Sequence, residues 1–277
     1  MNIMHMLDIF AYPFMQRAVI AGVILAALLS VLGVYVLLKR MSFFSDGIAH
    51  ASLAGIAIGI IFSWPPLIVA LCLSAVFAWV IYWIERKFEL ASDTAIGILF
   101  TTGMAVGVLL ISMRPGYQPE LISFLFGNIL AIQKDELWVI ALVSMGIISF
   151  VALQFRPLTL LALDEELAHA AHVKTTLLQP LFYMILSLAV VLGIKILGVI
   201  LVSALLILPS ASARIVALSL KRFVWLSVCF AEGIVLAGIL SSVVFNLPTG
   251  PMIVLSGTCC FVIALVLRTF RSSDYSL

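Results

Sequence analysis

The stretch AVIAGVILAALLSVLGVYVLL, Ala18–Leu38, contains no charged side chain and ends directly before Lys39 and Arg40. About 20 apolar residues are enough for a helix to cross the hydrocarbon core of a bilayer. The rest of the chain is similar, since 64% of its 277 residues are hydrophobic and only 10% are charged. Soluble domains carry about 25% charged residues. We therefore predict an all-α, polytopic integral membrane protein.

Further apolar segments continue this pattern and predict a single transmembrane domain over residues 1–277. They cover residues 45–62, 66–84, 94–113, 137–155, 176–195, 197–213, 223–245 and 249–267. The first two are separated by Trp64-Pro65-Pro66. The segment 121–132 is too short to cross and predicts a re-entrant or interfacial helix, which is tolerated at depth only if other protein covers it.

Basic residues predict the orientation, because lysine and arginine are enriched in cytoplasmic loops. With Lys39 and Arg40 in the cytoplasm and nine spans, 11 of the 15 basic residues fall on that side. They are Lys39, Arg40, Arg86, Lys87, Arg156, Lys174, Arg214, Lys221, Arg222, Arg268 and Arg271. We predict a multi-pass protein of the cell membrane, with its N-terminus outside and its C-terminus in the cytoplasm. Eight spans result if 197–213 dips in without crossing.

Asp46 and His50 stand at the head of the second span, four residues apart on one helix face. A carboxylate oxygen and an imidazole nitrogen suit Zn²⁺ or Mn²⁺. In the alternative interpretation, Asp46 only caps the helix and His50 bonds a neighbouring carbonyl. Spacing alone leaves both open. A strip of small residues one position further round permits close approach of another helix. It consists of Gly47, Ala51, Gly55 and Gly59.

Glu232 lies in the middle of the segment 223–245, where an unpaired carboxylate is costly. It could line a water-filled pathway, pair with a donor such as Lys195, or remain protonated with a structural role. His169 and His172 are three residues apart in the loop 156–175. They could form a second metal site, but two exposed histidines on a surface helix are the more ordinary interpretation.

The same loop contains LTLLALDEELAHAAHV, residues 158–173, which predicts a short amphipathic helix over 160–172. Helices that lie on membranes usually carry lysine or arginine on the polar face. This one carries Asp164, Glu165 and Glu166, so its acidic face favours a protein partner over lipid headgroups.

The chain has no G-x-x-x-x-G-K-[ST] phosphate loop, no H-E-x-x-H helix and no G-x-S-x-G elbow. We therefore expect no enzymatic activity of its own. If ATP drives transport, another subunit must supply the nucleotide site. The formal net charge of +2 gives no reason to expect a nucleic-acid partner.

The stretch LLKRMSFFSDGIAHASLAGIAIG, Leu37–Gly59, resembles the signature of the permease subunits of bacterial zinc/manganese/iron ABC importers. Further matching stretches make the resemblance extend from about residue 13 to 268. They are SDTAIGILF (92–100), FLFGNILAI (124–132), GVILVSALLILPSASAR (198–214) and LPTGPMIVL (247–255). The residues of RMSFFSDGIAHASL and FLFGNILAI resemble the zinc-type permeases most.

The resemblance implies a homodimer in the lipid bilayer, with two cytoplasmic ATPase subunits and an extracytoplasmic metal-binding protein. It implies that Asp46 and His50 lie on the metal path and that no cofactor is bound permanently, because the metal is the cargo. We predict ATP-driven import of Zn²⁺ into the cytoplasm, with Mn²⁺ or Fe²⁺ as the alternatives. It also assigns 160–172 as the helix that couples to the ATPase. The residues expected to carry this coupling are Leu163, Asp164, Glu166 and Ala168.

One departure from the family pattern is His172, where the family usually has glycine. Glycine would permit a left-handed residue at the end of the coupling helix, and histidine is a poorer substitute. The rival hypothesis to an ABC permease is a self-sufficient, proton-coupled secondary transporter, with Asp46, His50 and Glu232 as a proton relay.

Overall fold

The computed structural model describes residues 12–112, 127 and 131–273, and the regular structure in these residues is helical throughout. The helices are α1 Pro13–Leu38, α2 Phe44–Phe62, α3 Pro66–Phe88, α4 Ser92–Ser112, α5 Lys134–Leu153, α6 Phe155–Leu163, α7 Glu165–Ala170, α8 Thr175–Leu197, α9 Val199–Val216, α10 Leu220–Phe245 and α11 Thr249–Ser273. The all-α prediction is confirmed. The predicted re-entrant segment 121–132 falls largely outside the described residues.

Nine helices in the described ranges are long and apolar enough to cross a membrane, namely all except α6 and α7. This matches the nine predicted segments and gives the uncertain segment 197–213 a helix of its own, α9. Gly198 alone separates α8 from α9, and its φ of 79° lies in a region that glycine adopts readily.

The predicted break at Trp64-Pro65-Pro66 is confirmed and has a local cause. Helix α2 ends at Phe62, and the capping residue Ser63 is left-handed with φ 57°. The backbone amide of Trp64 then donates to the Gly59 carbonyl at 2.8 Å, which satisfies a carbonyl at the helix end. Pro66 opens α3, where a missing amide costs nothing.

The described helices fall into two compact units. One contains α9, α10 and α11, which pack against one another, together with most of α1 and α5. In it, Gly33 of α1 lies directly against the backbone carbonyl of Leu206 in α9. The hydroxyl of Ser227 in α10 donates to the carbonyl of Ser30 at 3.1 Å. These contacts join α1 to α9 and α10 without large side chains between them.

The other unit contains α2, α3, α4, α6, α7 and most of α8. Helix α2 is its central element, because it packs against both α3 and α4 and most of its residues are buried. Asp46 and His50 lie on this helix, so its packing determines how they are held.

Candidate metal site

The first turn of α2 carries Asp46. The residue that caps this helix is Phe43, whose side chain makes no capping hydrogen bond in the structure as described. Asp46 is the acidic residue of the first turn and is half-buried. A carboxylate there is stabilised by the positive end of the helix dipole. This placement keeps a negative charge at the head of the span.

His50 lies one turn further along α2 and is also half-buried. Its ring packs edge-to-face on Phe100 of α4, with centroids 4.6 Å apart and planes at 88°. Its Nδ1 atom is buried and has no hydrogen-bond partner among the described residues. The alternative in which a carbonyl satisfies the imidazole finds no support at this nitrogen. An unsatisfied buried polar atom costs about 1–3 kcal/mol, and a metal ligand is one role that would offset this cost.

The predicted small-residue strip brings α2 close to its neighbouring helices. A Cβ atom on Gly55 would stand 2.6 Å from the Cα of Ala70, and one on Gly59 would stand 2.7 Å from the Cα of Pro66. Both neighbours belong to α3. On the other side, a Cβ on Gly47 would meet Ile96 of α4 at 3.0 Å. The strip therefore permits the close helix contacts that the sequence predicted.

The pair is an incomplete metal site by itself. The described residues of the chain contain no group of three or more histidine, cysteine, aspartate or glutamate side chains that could hold a metal ion. Zinc sites normally have four ligands. Asp46 and His50 would supply two, one oxygen and one nitrogen, so water or another chain must complete the coordination.

The predicted coupling helix over 160–172 is not continuous. It consists of α6 and α7, separated by Asp164 in an extended conformation with φ −160° and ψ 121°. The Asp164 carboxylate accepts hydrogen bonds from the backbone amides of Glu166 at 2.8 Å and Leu167 at 3.1 Å. This is an N-cap interaction, and it begins a new helix instead of continuing the old one.

The two helices leave an apolar and acidic surface exposed. Leu163 and Leu167 are 62% and 58% exposed, and Glu165 and Glu166 are exposed beside them. Ala168, by contrast, is fully buried. Of the four residues predicted to couple to an ATPase, Leu163, Asp164 and Glu166 therefore reach the surface, while Ala168 packs within the chain.

His172 adopts the left-handed conformation that glycine would favour, with φ 58°. Helix α7 ends at Ala170, and the amide of Val173 bonds back to the Ala168 carbonyl at 3.0 Å. The helix end thus has the form expected at this position, with histidine in the strained conformation. His169 is exposed and belongs to no metal-binding group among the described residues.

Glu232 lies within α10, as predicted, and is half-buried. Its Oε2 atom is buried and lacks a hydrogen-bond partner in the part of the chain that the structure describes. A protonated carboxylic acid and a group on a hydrated pathway both remain compatible with this geometry. Lys195, the donor considered from sequence as a partner for Glu232, lies in the last turn of α8.

A third group of polar side chains was not predicted as a group. Lys39, interpreted from sequence as a cytoplasmic anchor, is half-buried, and its Nζ donates to the Tyr183 hydroxyl at 3.5 Å. The same hydroxyl donates to Glu85 Oε2 at 2.7 Å. Burial lowers the pKa of Lys39, and the carboxylates of Glu85 and Glu165 act in the opposite direction. The sequence separations of 144 and 98 residues explain why no local pattern indicated this group.

Comparisons with known proteins agree with the resemblance seen in the sequence. The manganese transport system membrane protein MntC of Halalkalibacterium halodurans is 30% identical over 257 residues, covering 93% of this chain and 88% of that protein. The manganese import system permease protein ScaB of Streptococcus gordonii is 32% identical over 253 residues and covers 91% of each.

Among solved structures, PsaBC from Streptococcus pneumoniae in complex with Fab superposes with a TM-score of 0.82 at 31% identity, covering 95% of both chains. The sequence of the chain matches the ABC 3 transport family over residues 11–268, nearly its whole length. With its apolar helices and its family match, this membrane protein belongs to the ABC 3 transport family.

Proposed function

We propose that the chain is the membrane-spanning permease subunit of an ATP-driven importer of a divalent metal ion. The observation that carries this proposal is the Asp46–His50 pair at the head of α2, in which the buried Nδ1 of His50 finds no hydrogen-bond partner among the described residues. Two relatives with similar sequences over nearly the whole chain are named for manganese transport, which supports metal as the cargo.

Two copies of the chain would complete the coordination that one copy leaves unfinished. Asp46 and His50 from each copy would supply two oxygen and two nitrogen ligands to one ion. Such mixed ligands suit passage, because a cage of thiolates would hold zinc too tightly for release. We therefore propose a homodimer with the metal path between the copies and the ion bound only in transit.

We infer two further partners, an ATPase subunit and an extracytoplasmic binding protein. Its sequence has no phosphate-loop motif, so the ATPase is a separate cytoplasmic subunit. Exposed Leu163 and Leu167 with neighbouring acidic side chains form a surface suited to a groove in that subunit. An extracytoplasmic binding protein would deliver the ion to the outer face. Glu232 remains a candidate group on the pathway.

The identity of the transported metal is the most detailed part of the proposal. The residues of RMSFFSDGIAHASL and FLFGNILAI resemble zinc-type permeases most, whereas the names of the two relatives indicate manganese. Aspartate and histidine serve zinc, manganese and iron alike. The described site contains no cysteine, whose soft sulfur would have favoured zinc over manganese. We place zinc and manganese first and test them directly.

The test reconstitutes the chain with its ATPase subunit and binding protein in proteoliposomes. We expect uptake of Mn²⁺ or Zn²⁺ that requires ATP, and competition between the two ions identifies the preferred cargo. Uptake by the chain alone, without ATP, would overturn the proposal in favour of a proton-coupled transporter. In that case Glu232→Gln should block the uptake, because the amide cannot carry a proton.

A further inference from the structure

Three buried or half-buried side chains form one continuous hydrogen-bonded chain: Lys39 Nζ donates to the Tyr183 hydroxyl at 3.5 Å, and that hydroxyl donates to Glu85 Oε2 at 2.7 Å. Lys39 Nζ also stands over the Tyr183 ring, 5.3 Å from its centroid. The first distance is at the long limit of a hydrogen bond, and the cation–π contact adds to it. We call these three residues the Lys39–Tyr183–Glu85 network.

The network joins three helices at one end. Lys39 directly follows α1, Glu85 lies in the last turn of α3, and Tyr183 lies two turns into α8. The predicted topology puts these ends on the cytoplasmic side. Tyr183 is fully buried, so its hydroxyl would be costly without partners. The charged groups of Lys39 and Glu85, at the two ends of the network, strengthen its hydrogen bonds.

The network lies between the two parts of the unit to which we assign function. On one side, α7 continues into α8, the helix that carries Tyr183, through the short connection 171–174, where the Val173 amide donates to the Ala168 carbonyl at 3.0 Å; α7 belongs to the surface proposed for the ATPase. On the other side, the Tyr183 ring packs edge-to-face on Phe44, with centroids 5.8 Å apart. Phe44 is the first residue of α2, two positions before Asp46.

We propose that the Lys39–Tyr183–Glu85 network transmits movement of the ATPase-facing helix α7 to the start of α2, and so couples ATP hydrolysis to release of metal from Asp46 and His50. This inference rests on the proposed function. Its residues are positioning residues: they do not contact the ion but hold the helix that does. A hydrogen-bonded network with charged ends has few alternative arrangements, so displacing Lys39 displaces Tyr183 and its neighbour Phe44.

The test measures metal imported per ATP hydrolysed in the reconstituted complex. Tyr183→Phe removes the hydroxyl and keeps the ring that touches Phe44. We expect ATP hydrolysis to continue, because it occurs in another subunit, while the ratio of metal to ATP falls about fivefold or more, the lower end of typical coupling between sites. A general loss of folding would instead reduce ATP hydrolysis as well, which the Tyr183→Phe complex is expected to retain.

Tyr35→Phe is the matched control, because Tyr35 is also fully buried in the same unit and its hydroxyl takes no part in the Lys39–Tyr183–Glu85 network. It should keep the wild-type ratio. If Tyr183→Phe keeps that ratio too, or if both variants lower it equally, the network does not couple. Wild-type complex that imports no metal at all would instead refute the proposed function, which makes the two failures distinguishable.

Glu85→Gln provides a second variant, which keeps the size and an acceptor oxygen but removes the charge. Combined with Tyr183→Phe it forms a double-mutant cycle. We expect the two effects on the ratio to be non-additive, because both changes act on one hydrogen bond: Tyr183→Phe removes its donor, and Glu85→Gln removes the charge from its acceptor. Strictly additive effects would show that the residues act separately and would overturn the network as a unit.

Discussion

Asp93 is a control position for Asp46, because it places a carboxylate at a helix start without a histidine four residues later. Asp93 lies in the first turn of α4, as Asp46 does in α2, and it is exposed. A carboxylate in either place gains about 0.3–1 kcal/mol from the helix dipole. The residue four positions on differs, since it is His50 after Asp46 and Gly97 after Asp93. Only the first pair combines a carboxylate with an imidazole, the two ligand types of the proposed metal site.

We predict that Asp46→Ala and His50→Ala each reduce ATP-driven metal uptake about 100-fold or more, since even groups that only support metal ligands cost 10–100-fold when lost. The complex should still assemble, because the close contacts of α2 with α3 and α4 are made at its small residues, which both variants keep. Uptake of radiolabelled metal into proteoliposomes measures the loss, and co-purification of the ATPase subunit measures assembly.

Asp93→Ala is the control and should retain close to wild-type uptake. If it reduces uptake as much as Asp46→Ala does, the role of Asp46 is that of a charge at a helix start. Wild-type uptake in His50→Ala would reduce the histidine to a packing residue against Phe100.

The candidate ligands could be proposed from sequence because they lie four residues apart on one helix, where spacing determines the shared face. The environment of Lys39 could not. A basic residue after an apolar span normally faces headgroups, whereas Lys39 donates to the buried Tyr183 hydroxyl, which in turn donates to Glu85. Contacts across 98 to 144 residues depend on helix packing, which periodicity does not determine.

At the scale of helices, glycine spacing decides how closely α2 approaches its neighbours. We predict that Gly55→Ala destabilises the protein by about 1–3 kcal/mol, the usual cost of overpacking. The added Cβ would stand 2.6 Å from the Cα of Ala70, so backbone must move. Thermal unfolding of the purified protein in detergent should show the loss.

Gly97→Ala serves as the matched change in α4. A Cβ on Gly97 meets no described atom within 4 Å, and alanine is the better helix former. Its unfolding temperature should stay the same or rise. Equal destabilisation by both changes would mean that glycine acts through backbone flexibility and not through close helix contact.

The division of the predicted coupling helix had a signal in the sequence. Asp164 followed by Glu165 and Glu166 is a typical start of a helix, with a capping aspartate and acidic residues in the first turn. The apolar spacing of Leu160, Leu163 and Leu167 favoured one continuous helix instead. The hydrogen bonds of Asp164 to the next amides prevailed, because each satisfies a backbone group that a helix start leaves without a partner.

For the whole molecule, composition predicted the membrane helices closely, because the length of a span is set by the bilayer. Boundaries differ by a few residues; α3, for instance, continues to Phe88 past the predicted end at 84. What composition cannot determine is whether a helix crosses. Helix α9 follows α8 after the single residue Gly198. The number of crossings therefore depends on whether α9 crosses the membrane or returns to the side on which α8 ends.

The positions of basic residues make this a testable prediction. If α9 crosses, the loop after it and the C-terminus are cytoplasmic, together with Arg214, Lys221, Arg222 and Arg268. If it does not, all four lie outside, against the positive-inside rule. We expect green fluorescent protein fused after Ala217 or at the C-terminus to fluoresce, since it matures only in the cytoplasm. Alkaline phosphatase fused after Leu247 should be active, since that loop faces outward. The reverse result at these three points would establish eight crossings and place the C-terminus outside.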